Sequence, residues 1–118
     1  MALEKQLKMV QLLLEHSKGG DIDWKPTPSK DTMSVTFEKA SLLLKQTPSR
    51  EVPDEYDYTI RIINDDGVVI ESFSDTDFEP GQAYLSMHEM FNLARRKALG
   101  VDSALDSIIR ELKDIIPF

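Results

Sequence analysis

Asp75, Asp77 and Glu79 place acids at alternate positions, which is how a calcium-binding loop begins. A complete loop needs glycine at its sixth position and a bidentate glutamate at its twelfth. Those positions hold Pro80 and Ser86, so calcium chemistry is not expected. His88-Glu89 opens like a helical zinc motif, but the second histidine would fall at position 92, which is Asn. The other histidine, His16, lies on a different expected helix. Ser72, Ser74 and Ser86 have no evident base, and no sequence neighbour orients either histidine, so nucleophilic catalysis has no candidate. The sequence carries no cysteine, which excludes disulfides and thiolate metal sites. The expectation is a chain without catalytic residues, metal or cofactor.

The remaining polar and aromatic groups suit recognition better than reaction. Trp24 is the only tryptophan and could stack on a ligand, but it alternates in phase with Ile22, which points to a core side chain. Tyr56 and Tyr58 share that ambiguity, with rings over the core and hydroxyls towards water. Arg95-Arg96-Lys97 is the one basic triplet. It falls late in an expected helix, where cations complement the carbonyl end of the dipole. Asp75, Asp77, Glu79, Trp24, Arg95 and Arg96 together form the candidate surface for a protein partner.

Charge sharpens this reading. The 118 residues carry a formal charge of −7. Between Glu51 and Glu79 the acids meet a single base, Arg61. Binding duplex nucleic acid requires cations against phosphate, so this balance argues against it. An acidic field can instead steer a basic partner. No apolar run approaches the length of a membrane span. The N-terminus lacks the basic-then-apolar order of a signal peptide, so a cytoplasmic location is expected.

The elements that must position these groups follow from periodicity. Leu3, Leu7, Val10 and Leu14 share one helical face, widened by Leu13, and Gly19-Gly20 ends a helix over 3–18. The period then changes to two. Ile22 and Trp24 form a strand stopped by Pro26 and Pro28; Met33, Val35 and Phe37 form a second. Ala40 to Lys45 forms a third, with Leu42-Leu43-Leu44 able to be buried on both faces. Thr47 to Glu55 reads as a loop. Tyr56, Tyr58, Ile60 and Ile62 alternate cleanly, Asn64-Asp65-Asp66-Gly67 makes a hairpin turn, and Val68 to Phe73 returns. A helix over 83–99 carries Tyr84, Met87, Phe91, Ala94 and Ala98 on one face and stops at Gly100. A last helix, capped by Asp102 or Ser103, carries Leu105, Ile108, Ile109, Leu112 and Ile116 and ends at Pro117. The order predicts a single α+β domain over 1–118: an N-terminal helix, an antiparallel meander of about five strands, and two C-terminal helices packed on one face.

Two stretches resemble a known pattern. The first runs from Leu12-Leu13-Leu14-Glu15-His16 through Gly19-Gly20 to Ile22-Asp23-Trp24. The second is Phe91-Asn92-Leu93-Ala94-Arg95-Arg96, continued by Val101 to Asp106 and Leu112, with Asp66-Gly67 between the two. Their order resembles a loose group of small uncharacterised bacterial proteins, built as a first helix, a glycine, a strand ending in tryptophan, a meander and a C-terminal Ala-Arg-Arg helix. The resemblance implies this architecture and a bacterial origin. It brings no activity, cofactor or site residue with it.

The expected function is therefore a non-enzymatic interaction or regulatory domain that binds an unidentified protein. It would bind through the sheet edge near Trp24, the acidic loops or the apolar last helix. The alternative is a homo-oligomeric scaffold that pairs through that last helix, whose Ile115 adds apolar surface beyond one stripe. An acidic secretion chaperone shares the size and charge but has a helix between its strand groups, which this order lacks. A small-molecule binder would need a pocket lined by Trp24, Tyr56 or Tyr58.

Overall fold

A computed structural model describes residues 3–115. The elements run α1 (Glu4–Lys18), β1 (Lys25–Pro26), β2 (Thr32–Thr36), β3 (Ala40–Pro48), β4 (Tyr56–Asn64), β5 (Val69–Ser74), α2 (Tyr84–Leu99) and α3 (Val101–Ile115). A single 3-10 turn, Asp75–Asp77, follows β5. The five strands lie in sequence order, each antiparallel to the next. The fold is α+β, as the alternation of periods predicts.

Each strand presents its period-two apolar set to one face. Met33 and Val35, Leu42 and Leu44, Tyr58 and Ile60, and Phe73 are all buried there. α2 covers this face with Met87, Met90, Phe91 and Ala94, and α1 adds Val10 and Leu13. The opposite face is polar, as in an antiparallel sheet with one side in water. Leu43 is half-buried there, between Ser34 and Arg61 in the register, so the triple-leucine run is fully buried on one side only.

The β2–β3 connection closes through the Phe37 amide, which donates to the Ala40 carbonyl at 2.7 Å. In the β4–β5 turn the Asn64 side chain accepts from the amides of Asp66 and Val68, each at 3.0 Å. α1 stops as expected, but the left-handed residue is Gly20 (φ 79°) rather than Gly19.

β3 runs on to Pro48, past the Lys45 expected to end it and into the segment expected as a loop, and α3 begins at Val101, so Asp102 and Ser103 lie inside the helix rather than cap it. Two further expectations shift. The first strand is Lys25–Pro26 rather than Ile22 to Trp24, because β1 meets β2 only where Lys25 and Pro26 lie opposite Ser34 and Met33. Trp24 is the residue just before that pairing.

The second shift concerns the last helix. Of the two C-terminal helices only α2 packs on the sheet; α3 has no buried residue. Gly100, at φ 66° and ψ 34°, turns the chain out of α2 in a left-handed cap, and α3 begins at the next residue. Arg96 in the last turn of α2 donates to Asp102 in the first turn of α3, an exposed pair across the turn. The radius of gyration is accordingly 16.8 Å, against about 13 Å for a compact chain of this length. Ile116 and Pro117, expected to complete and stop this helix, lie outside the described residues.

Candidate functional site

The candidate residues do not converge. Trp24 is 2 % exposed, and its indole N–H donates to Ser17 Oγ at 2.9 Å. It ties the last turn of α1 to the start of the sheet. Its place in the candidate partner surface is corrected: nothing outside the core can reach the ring.

Asp75 is also buried. Its Oδ1 accepts from the Tyr58 amide at 2.7 Å and from the Ser74 hydroxyl at 3.3 Å. It is a structural acceptor just past the end of β5, facing the start of β4, and its expected role as a surface acid is corrected likewise. Asp77 accepts from the Ser74 amide at 2.7 Å, and Ser74 Oγ accepts from the Thr76 amide; this capping box holds the 3-10 turn. Of the three alternating acids, Glu79 alone is left to face solvent without a structural task. Among the described residues no group of His, Asp or Glu is placed to hold a metal ion. Arg95 and Arg96 are exposed on the last turns of α2, but Arg96 is engaged by Asp102.

Two features were not legible in the sequence. The first is a polar cluster on the core side of β4. The Tyr58 hydroxyl contacts His88 Nδ1 on α2 and accepts from Gln46 Nε2 at 3.2 Å on β3. Asn92, one turn on, faces His88 Nε2 at 3.4 Å. The Tyr84 ring stacks on His88, with centroids 5.8 Å apart and planes 16° from parallel. Burial pushes the Tyr58 hydroxyl above its ordinary pKa, so it stays neutral and serves as a donor and acceptor at once. The network pins α2 to the sheet. Tyr58→Phe keeps the ring and removes the oxygen, leaving polar groups on Gln46 and His88 unpaired. An expected cost of about 1–3 kcal/mol would be read by urea unfolding; an unchanged midpoint would remove the network from the account of stability.

The second feature is an acidic cavity of about 290 Å³ between the 49–57 segment and the chain leading into α2. Glu51, Glu55, Asp57 and Glu79 line it, beside Tyr56 and Tyr84, with Asp75 at its base. Burial first, and then the neighbouring Asp57 charge, raises the Asp75 carboxyl; its hydrogen bond from the Tyr58 amide works against this. Tyr84 is raised by burial and then by Glu55, Asp75 and Asp57. The sequence signals the acid density but not the cavity, because its walls lie on segments far apart in the chain.

Two apolar surfaces lie elsewhere. α3 exposes Leu105, Ile108, Ile109, Leu112 and Ile115, each between 48 % and 68 % accessible. The outer face of α1 forms a groove of about 380 Å³ lined by Met9, Leu12, Leu13, Ile22 and Phe37, with Lys5, Lys8 and His16 at its rim. No helix among the described residues is long and apolar enough to cross a membrane.

The architecture places the chain among α+β meander domains that carry an extended terminal helix. Comparisons with protein-family models, with curated proteins and with solved structures returned no match. The resemblance to small bacterial proteins rests on the quoted motifs alone.

Proposed function

We propose that the chain is a non-enzymatic protein-interaction domain whose docking element is α3. One observation carries the reading: a helix of 15 residues with a continuous apolar stripe and no buried residue. An isolated helix of that length is marginal in water, since most helical stability in proteins comes from packing one face. α3 gains its packing from a partner. The acids on this helix oppose a role at an anionic lipid surface, which selects Lys and Arg on the polar face. Asp102, Asp106, Glu111 and Asp114 outnumber Arg110 and Lys113 here.

The test uses a double variant, Ile108→Glu with Leu112→Glu. Both positions are exposed and glutamate is a good helix former, so the thermal midpoint is expected to stay within about 2 °C of the parent. Binding of whatever the wild-type chain associates with, a second copy included, is expected to fall at least tenfold by sedimentation or light scattering. Unchanged association in a folded variant would discard α3 as the docking element.

A second reading is favoured by the acidic cavity. Carboxylates flanked by Tyr56 and Tyr84 are suited to a Lys or Arg side chain from a basic partner segment. The residues to alter for this reading are Glu51, Glu55 and Glu79, since Asp75 and Asp77 have structural tasks.

A further inference from the structure

α3 leaves one question open: what covers it. The same molecule carries a second uncovered apolar surface, the α1 groove around Leu12 and Phe37, each 45 % exposed. Their charges are opposite. At 100° per residue Glu111 falls on one flank of the α3 stripe, and Asp106 falls on the other beside Lys113 and the Arg96-paired Asp102; over the whole helix Asp102, Asp106, Glu111 and Asp114 stand against Arg110 and Lys113. Lys5 and Lys8 stand at the rim of the groove, and neither makes an ion pair among the described residues. The groove is long enough for a helix: Lys5 to His16 spans three turns of α1.

We propose that the occupant of the groove is α3 from a second copy of this chain, docked reciprocally, so that each protomer lends its helix to the other and receives one in return. The proposal deepens the interaction reading above and rests on it. Three observations select this arrangement.

Closure within one chain would require α3 to swing about Gly100 and break the Arg96–Asp102 pair; docking on a neighbour leaves both as they are. Pairing α3 with α3 would leave the groove and its two lysines bare. Area decides further. The stripe offers on the order of 500 Å² per copy, so two reciprocal dockings cover on the order of 1,000 Å² of it, about what a specific interface needs. A two-fold exchange also closes on itself, whereas one-way docking would propagate into a filament.

Mixing two damaged chains tests it. One carries Ile108→Glu and Leu112→Glu and has an intact groove. The other carries Leu12→Glu and Phe37→Ser and has an intact α3. The four sites are exposed, and the fluorescence of Trp24 with far-ultraviolet circular dichroism reports that each variant folds. The wild type is expected to have the mass of two chains at micromolar concentration. Each variant alone is expected to be a monomer, at least tenfold weaker in association. Their mixture is expected to form a one-to-one heterodimer through the single intact docking.

A groove variant that self-associates like the wild type would overturn the groove while leaving α3 as the docking element, as would pairing of α3 with α3. An α3 variant that still dimerises would overturn both readings. A wild-type monomer would overturn the second copy as the occupant, and a mass that climbs past two chains with concentration would overturn reciprocity.

Discussion

Trp24→Ala is expected to cost about 3–5 kcal/mol, the range for emptying the site of a large buried aromatic side chain. The whole stability of a domain this size is about 5–15 kcal/mol, so the variant should lose a large share of it. The reason is position. Trp24 is among the largest fully enclosed side chains, with Tyr58 and Phe91, and it sits where α1 returns to the sheet. Its indole N–H also holds Ser17, so truncation leaves a cavity and releases the last turn of α1.

Urea unfolding followed by circular dichroism gives the number. Trp24→Phe should lose much less, since most of the ring volume stays. The experiment separates two roles for the same residue. A surface tryptophan serving a partner would leave the midpoint nearly unchanged, and a loss below about 1 kcal/mol would return Trp24 to the candidate surface.

Asp75 is the second large effect, and its sign depends on pH. Burial raises its carboxyl above the ordinary range, with the Asp57 charge adding to the effect. The folded state therefore holds the proton more tightly than the unfolded chain. The group favours folding most below about pH 4, the ordinary value for the unfolded chain, and that contribution is lost as pH rises through the folded value.

Asparagine at position 75 keeps an oxygen for the Tyr58 amide and removes the charge. Asp75→Asn is thus expected to be more stable than the parent at neutral pH and equal to it in acid, where Asp75 is protonated in both states. Alanine removes charge and acceptor together, leaving a buried amide unpaired. Asp75→Ala should lie about 1–3 kcal/mol below Asp75→Asn throughout. Denaturant titrations of all three proteins at several pH values check this. If the parent and Asp75→Asn keep a constant difference from acid to neutral pH, the buried charge is not what separates them.

Asp75 also shows how far composition leads. Its acidity is plain in the sequence, and the density of carboxylates between Glu51 and Glu79 does surround a cavity. What the sequence does not show is which carboxylate is used internally. Asp75 and Asp77 are consumed by the Tyr58 amide and by the cap of a 3-10 turn, so the candidate surface passes to Glu51, Glu55 and Glu79. The Tyr58–His88 contact joins positions 30 residues apart. The sequence isolates His88 because the hydroxyl it meets, that of Tyr58, lies on β4.

The sequence by itself determined the element order and the inward faces of α1, α2 and the strands β2 to β4. Those follow from periods of two and 3.6, from the glycines that end helices, and from the Asp-Gly turn; all act between residues near in the chain. Tyr58, Ile60, Leu42, Leu44, Met87 and Phe91 are buried where their spacing puts them. An apolar stripe looks the same whether it meets its own sheet or another molecule, so the pattern in α3 placed it on the core. Only the tertiary structure decided otherwise. The core face of the sheet is already covered by α1 and α2, and the left-handed turn at Gly100 points α3 outward. Periodicity records that a face must be buried; the geometry of the whole chain decides against what.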